Sequence, residues 1–100
     1  MKLLPLGTVV YLVSGNQKMF IVGRGTLVEQ DDHEVRFDYT GVRYPDGLLA
    51  EEVYYFNEED IDSILSEGYR DDEDERYVTL YNQWLEEKGK DIPKGKTSKI

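Results

Sequence analysis

Residues 4–24 read Leu-Pro-Leu-Gly-Thr-Val-Val-Tyr-Leu-Val-Ser-Gly-Asn-Gln-Lys-Met-Phe-Ile-Val-Gly-Arg. They contain two runs that favour β-strands, Val9–Val13 and Met19–Gly23, separated by the polar turn 14–17, Ser-Gly-Asn-Gln. This arrangement predicts a β-hairpin. Because both strands are mostly apolar, other parts of the chain must cover at least one face of the hairpin. The rest of the sequence is expected to supply that cover.

The next two segments extend the predicted sheet. Thr26–Gln30 continues the second strand beyond the pair Gly23 and Gly25, and this pair predicts a bulge where the strand bends. Val35–Thr40 alternates strictly between apolar and polar residues, as a half-buried strand does. After it the apolar positions shift by one residue, which predicts a second bulge at Thr40-Gly41.

Turns separate the remaining elements. The polar run 31–34 predicts a loop, and residues 44–47, Tyr-Pro-Asp-Gly, predict a turn in which proline fixes φ and glycine closes the chain reversal. Val53–Phe56 is a further strand. Asn57 then caps a short helical segment, and residues 63–69 fit either its continuation or a short final strand.

The clearest predicted helix spans about residues 72–88. Asp71 or Asp72 caps it, acidic residues fill its first turn, where the helix dipole favours negative charge, and Gly89 follows its last turn. One apolar stripe runs along this helix at spacings of three and four residues: Tyr77, Leu80, Tyr81, Trp84 and Leu85. The stripe either docks on the sheet or forms an exposed aromatic surface that binds a partner protein.

These elements predict an α+β fold, either a small SH3-like β-barrel or a strongly curled antiparallel sheet of about five strands, with a C-terminal α-helix. Residues 1–89 are expected to form a single domain. Residues 90–100 contain four lysines and one aspartate and are expected to form a basic disordered tail.

Charge and composition exclude several classes of function. The net charge is −9, and positions 51–75 carry 12 acidic residues against the single base Arg70, so most of the surface should repel nucleic acids and anionic lipids. The sequence contains no cysteine, which excludes disulfides and thiolate sites. The apolar start, residues 1–7, is broken by proline and glycine, which argues against a signal peptide. No run approaches the roughly 20 apolar residues that a membrane helix needs. We therefore expect a cytoplasmic protein without membrane insertion.

No catalytic, cofactor-binding or metal-binding constellation is predicted. His33 is the only histidine and is expected to be an exposed loop residue. The acidic run 71–75 lacks the spacing of a calcium-binding loop, and Gly23-Arg24-Gly25 lacks the third glycine of a dinucleotide-binding turn. Five of the eight tyrosines are expected at strand positions with buried rings and solvent-exposed hydroxyls: Tyr39, Tyr44, Tyr54, Tyr55 and Tyr69.

Six blocks of sequence resemble a family of small bacterial proteins, domain of unknown function 4176. The blocks are residues 4–10, 19–24, 38–42, 44–47, 56–61 and 67–69. The chain has Glu58 where this family often has histidine, and Ser66 where it often has an apolar residue. No role for that histidine is therefore carried over.

The resemblance implies a context but no established activity. Members of this family are often encoded near type VII secretion genes and LXG-type toxins of Gram-positive bacteria, which implies a cytoplasmic accessory or adaptor protein. We therefore expect a non-enzymatic protein-interaction module that acts on such a toxin or on its accessory proteins. The alternative is an acidic immunity protein whose carboxylates block the basic active site of a cognate toxin.

Overall fold

The computed structural model of the protein describes residues 1–13 and 15–97. The helices and strands follow in the order β1 (Val9–Leu12), β2 (Lys18–Gln30), β3 (His33–Arg43), β4 (Val53–Phe56), β5 (Ile61–Ser66) and α1 (Asp72–Glu87). Two single turns of 3-10 helix, Glu58–Asp60 and Gly89–Asp91, precede β5 and follow α1.

The five strands form one antiparallel sheet with the spatial order β4-β3-β2-β1-β5. In the part of the chain that the structure describes, no ladder joins the two edge strands β4 and β5. The sheet is therefore open, and the closed barrel, one of the two predicted arrangements, is not formed. The predicted α+β class, with about five strands and a C-terminal helix, is confirmed.

The predicted hairpin is the β1–β2 pair, with Val9 opposite Phe20 and Tyr11 opposite Lys18. The predicted continuation of the second strand through Thr26–Gln30 is also present, because β2 extends from Lys18 to Gln30. Ser14, the first residue of the predicted turn, lies outside the described residues.

The described strands β2 and β3 share one bulge, where two were predicted: it lies at Thr40-Gly41, but its extra residue belongs to β2 and directly precedes Gly23, the first glycine of the pair that predicted a bulge there. Ile21 pairs with Gly41 and Gly23 pairs with Thr40, so the intervening residue of β2 has no partner in β3. An extra residue in one strand shifts its side-chain alternation relative to the partner. The change of parity seen in the sequence of β3 is therefore absorbed on the opposite strand.

The β2–β3 connection is shorter than the predicted loop 31–34. Gln30 pairs directly with His33, and only Asp31 and Asp32 form the turn, with φ angles of 53° and 65°. Two consecutive residues with positive φ produce a turn whose twist matches that of the flanking strands, and aspartate tolerates this conformation better than most residues. His33 is thus the first residue of β3, and its side chain is exposed.

Residues 61–66 form a strand, which resolves the alternative left open by the sequence. β5 pairs with β1 and covers an edge that would otherwise expose unpaired backbone groups. Ile61 packs against the core, whereas Ile64 and Leu65 are exposed. Their helical spacing therefore does not reflect a buried helix face.

Helix α1 confirms the predicted bounds to within one residue. Asp71 caps its first turn by accepting a hydrogen bond from the backbone N–H of Asp74, and the N–H of Lys88 closes its last turn on the carbonyl of Trp84. The helix packs on the sheet and completes one core with the N-terminal segment. The buried members of this core are Leu3, Val10, Leu12, Met19, Ile21, Tyr39, Phe56, Val78 and Tyr81.

Residues 90–97 differ from the predicted disordered tail. The segment lies along β3, where the backbone N–H of Arg36 donates to the carbonyl of Pro93 and the N–H of Gly95 donates to the carbonyl of Arg36, each at 2.9 Å. The lysine-rich composition did not reveal this, because the groups that hold the segment lie 35 to 66 residues earlier in the chain. Residues 98–100 of the predicted tail lie outside the described residues.

Candidate functional site

The five residues of the predicted helix stripe do not form one exposed surface. Tyr81 is buried, and Trp84 and Leu85 are half-buried against the core. Tyr77 and Leu80 remain exposed, at 43% and 53% of their full surface. The helix is therefore docked through one side of the stripe, and only its other side is open to a partner.

Tyr81 docks the helix on the backbone of β2. A side chain at Gly25 would place its Cβ 2.5 Å from Cε1 of Tyr81, so this close approach requires glycine, whose φ is +64°. The Tyr81 hydroxyl is buried and has no hydrogen-bond partner among the described residues. Burial, together with the nearby carboxylate of Asp38, raises the pKa of Tyr81.

A largely buried ion-pair network fixes the start of the helix. The Asp74 carboxylate accepts from Arg24 at 2.7 Å and also from Arg70, and the side chains of Arg24 and Asp74 are 6% and 12% exposed. Arg70 also donates to the carbonyl of Leu3. The network therefore joins β2, the N-terminal segment and the first turn of α1 into one rigid unit.

An exposed groove lies above this network, and we name it the Tyr69–Tyr77 groove. Its apolar walls are Leu6, Tyr69 and Tyr77, and its acidic rim is Asp71 and Glu73. Tyr69 is the most exposed aromatic residue of the described chain, at 79% of its full surface. The groove therefore combines exposed apolar side chains with negative charge on a fixed frame.

The floor of the groove positions Tyr77. The guanidinium of Arg24 lies over the Tyr77 ring, with its carbon 4.3 Å from the ring centroid. This contact holds the ring in one orientation and contributes about 0.5–1 kcal/mol at an exposed site. Because Asp74 binds the same guanidinium, the aromatic wall and the ion-pair network are coupled.

The expectation that five tyrosine rings are buried is only partly right. Tyr39 is buried, and its hydroxyl accepts a hydrogen bond from the backbone N–H of Leu4 at 3.0 Å. Burial raises the pKa of Tyr39. In contrast, Tyr44, Tyr55 and Tyr69 are exposed. Tyr69 lies outside any strand, between β5 and α1, so no pleated surface covers its ring.

A second polar cluster surrounds Asp38, whose side chain is fully buried. Its carboxylate accepts from the backbone N–H of Glu58 at 2.9 Å and from the Lys94 ammonium at 3.0 Å, and the guanidinium of Arg36 lies 3.5 Å away. The backbone N–H of Asp38 donates to the side-chain carbonyl of Asn57. We name this cluster the Asp38 site. The alternating sequence pattern predicted Asp38 on the polar face of β3, but its side chain is buried within this cluster.

The described residues contain no group of three or more histidine, cysteine or acidic side chains placed to hold a metal ion. His33 lies at the tip of the β2–β3 hairpin, next to Asp32 and Glu34 in sequence, and belongs to neither cluster. No helix of the described chain is both long and apolar enough to cross a membrane.

A comparison with family models places the chain. The model described as "Domain of unknown function (DUF4176)" matches residues 3–77, more than half of the chain. The chain belongs to the DUF4176 family. No curated protein and no solved structure matches it.

The residues that match the DUF4176 model include all of one candidate site and only part of the other. They contain the whole Tyr69–Tyr77 groove. They also contain Asp38, Asn57 and the rest of the Asp38 site, apart from Lys94 and the segment around it. The family portion therefore includes the walls of the Asp38 site, and a segment outside the matched residues fills it.

Sequence reasoning missed most residues of both DUF4176 sites. Tyr77 was identified from the helix stripe, but Leu6 and Tyr69 join it only through the fold. A signal was nevertheless present, because Leu6, Arg24 and Tyr69 belong to three of the blocks that carry the resemblance. Asp38 also lies in such a block, within β3.

Proposed function

We propose that this DUF4176 protein is a non-enzymatic protein-interaction module that binds its partner at the Tyr69–Tyr77 groove. The observation that carries the proposal is the exposure of Tyr69 and Tyr77 in one groove with Leu6. Tyrosine rings on a rigid support are typical anchors of protein interfaces, because they bury a large area at a small cost in conformational entropy.

The charge around the groove favours a particular partner surface. Asp71 and Glu73 form its rim, and Asp72 beside them is also exposed. A complementary surface would present apolar side chains flanked by lysine or arginine, because opposite charges at the rim speed association and exclude acidic competitors. The family resemblance points to an LXG-type toxin, or to one of its accessory proteins, as this partner.

The proposal is tested by titrating the protein with the LXG-type toxin encoded beside its gene. We expect Tyr69→Ala and Tyr77→Ala each to weaken binding about tenfold or more, the loss typical of an interface anchor. Tyr44→Ala is the matched control, because Tyr44 is as exposed as Tyr77 and also has a cation, Lys18, over its ring, but lies in another part of the surface.

A second control separates the groove from the remainder of the helix stripe. Leu80 is exposed on α1 but does not line the groove. Leu80→Ala should therefore leave the affinity unchanged. If Leu80→Ala weakens binding and Tyr69→Ala does not, the exposed part of the helix is the binding surface and the groove assignment is wrong.

The acidic rim supports a second candidate, an immunity protein that blocks the basic active site of its toxin. In that case the rim carboxylates would dominate the interaction. Asp71→Asn together with Glu73→Gln would abolish inhibition of the purified toxin, and Tyr69→Ala would have little effect. If the wild-type protein neither inhibits the toxin nor rescues cells that express it, the immunity role is excluded and the adaptor role is unaffected.

A further inference from the structure

The chain fills the Asp38 site with its own segment 93–95, and the contacts resemble those between a peptide and its receptor. The segment lies parallel to β3 and forms a bridge between Lys94 and Arg36. Two backbone hydrogen bonds of 2.9 Å connect the strands at Arg36, one to Pro93 and one from Gly95. The segment therefore occupies the place of an extra strand beyond the end of β4.

Side chains of the site contact the segment at two positions, Lys94 and Gly95. The Lys94 ammonium lies 3.0 Å from the Asp38 carboxylate and 2.9 Å from that of Glu59. The side-chain amide of Asn57 donates to the carbonyl of Gly95 at 2.9 Å. A buried carboxylate with a second carboxylate beside it favours a lysine, because an uncharged side chain would leave the Asp38 carboxylate with the Arg36 guanidinium, 3.5 Å away, as its ion-pair partner.

The next position accepts only glycine. Any Cβ at Gly95 would collide with the ring of Phe37, which is buried and held against Tyr55 with ring centroids 5.5 Å apart. Lys96 is held differently, since only its backbone groups bond to the side chain of Gln30. The site thus distinguishes a lysine followed by a glycine in an extended backbone.

We propose that the Asp38 site is a recognition site for an extended Lys-Gly segment of a partner protein, and that residues 93–95 occupy it in cis as a competing ligand. Binding in trans then requires the partner segment to displace the tail. The proposal is independent of the Tyr69–Tyr77 groove, which involves other residues on other elements.

The residues that line the site lie in the part of the chain that the family model matches. Phe37, Asp38, Asn57 and Glu59 all lie within the matched residues 3–77, whereas the segment that fills the site lies outside them. A tethered tail has an effective concentration on the order of millimolar, which a partner overcomes through greater affinity or additional contacts. The cis segment therefore sets a threshold for binding.

The test uses the full chain and a fluorescent peptide with the sequence of residues 90–97, Lys-Asp-Ile-Pro-Lys-Gly-Lys-Thr. In the Gly95→Ala protein we expect the tail to leave the site, which hydrogen exchange at the Arg36 amide detects. The peptide should then bind Gly95→Ala at least tenfold more tightly than it binds the wild-type protein. Lys94→Gln in the protein is a second variant that loosens the tail without adding a Cβ and should change both readouts in the same direction.

Peptide variants test the chemistry of the site. Replacing the peptide lysine that corresponds to Lys94 by glutamine, or its glycine by alanine, should reduce binding to the Gly95→Ala protein at least tenfold. The matched control replaces the lysine that corresponds to Lys96, whose ammonium forms no ion pair among the described residues, and should alter affinity less than threefold.

Three results would overturn the proposal. In the first, the tail of Gly95→Ala stays protected. In the second, the tail leaves the site but the peptide does not bind. In the third, the wild-type protein forms a concentration-dependent dimer that Gly95→Ala abolishes, which would make the tail of a second copy, and not a partner protein, the ligand in trans.

Discussion

The ring of Tyr81 lies directly against the backbone of Gly25, and this contact sets how closely helix α1 approaches the sheet. Gly25 has no side chain to separate the helix from β2, and its positive φ turns the backbone there. Gly25, one of the two glycines that predicted a bulge, therefore allows the helix to dock on β2.

We predict that Gly25→Ala lowers the free energy of unfolding by about 2–5 kcal/mol. A Cβ would lie 2.5 Å from the Tyr81 ring, and overpacking of this kind costs about 1–3 kcal/mol. The left-handed backbone adds about 1–2 kcal/mol for a residue with a Cβ. Urea denaturation measures the sum.

Gly47→Ala is the matched control for this substitution. Gly47 also has a positive φ, 81°, but a Cβ there would meet nothing within 4 Å. Its loss should therefore be about 1–2 kcal/mol, from the backbone conformation alone. Equal losses at the two positions would mean that the helix does not pack on Gly25 in solution.

Tyr81→Phe should maintain or increase stability. The hydroxyl of Tyr81 is buried without a hydrogen-bond partner among the described residues, and such a group costs about 1–3 kcal/mol relative to solvent. Phenylalanine retains the ring that packs on β2 and removes the polar atom. A gain of up to about 1 kcal/mol in thermal or urea unfolding is expected, and a loss of more than 1 kcal/mol would show that the hydroxyl has a partner in solution.

Asp74→Ala should be the most destabilising change among the acidic residues of α1, by about 3–5 kcal/mol. It leaves the guanidinium of Arg24, 6% exposed, without its carboxylate, and a buried charge without a partner is costly. Glu73→Ala removes a neighbouring, exposed charge from the same helical turn and should cost less than about 1 kcal/mol. If Asp74→Ala and Glu73→Ala lower the free energy of unfolding by similar amounts, the Arg24–Asp74 pair is exposed to solvent.

Local patterns in the sequence predicted the regular elements of the fold. The β1–β2 hairpin and helix α1 follow from runs of β-forming residues, from 3.6-residue periodicity and from a capping aspartate, each of which is encoded within about 20 residues. The β5 strand remained ambiguous, because Ile61, Ile64 and Leu65 have helical spacing, whereas residues 63–69 equally fit a short strand. Pairing with β1, whose residues lie 49 to 57 positions earlier in the chain, decides it.

The candidate sites depend on contacts that no local pattern encodes. Asp38 is buried because Lys94 and the backbone of Glu58 reach it from distant parts of the chain. Tyr69 lies in the connection between β5 and α1, outside any strand, and is exposed. Composition predicted an acidic surface, but it could not show which carboxylates are exposed and which, like Asp74, are held by arginines.

The contact of Lys94 with Glu59 and Asp38 should make the attachment of segment 93–95 dependent on pH. Partial burial acts to raise the pKa of Glu59, but the hydrogen bond and charge of Lys94 outweigh it, so that pKa is lowered from 4.5. For Lys94, burial acts to lower the pKa, but the hydrogen bonds to Glu59 and Asp38 outweigh it, so that pKa is raised from 10.5.

The two shifts define a pH window for the attachment. The lowered pKa of Glu59 means that its contribution is present above its ordinary pKa of 4.5 and is lost as the pH falls through the lowered value. The raised pKa of Lys94 means that its contribution is present below 10.5 and is lost as the pH rises through the raised value.

Exchange of the Gly95 amide, corrected for its intrinsic rate, should therefore be slowest between these limits. The amide of Ile21, bonded to the carbonyl of Thr8 in the sheet, serves as the reference for global unfolding. Glu59→Gln should reduce the loss of Gly95 protection at low pH. If the protection of the Gly95 amide changes in parallel with that of the Ile21 amide at every pH, these charges do not hold the segment.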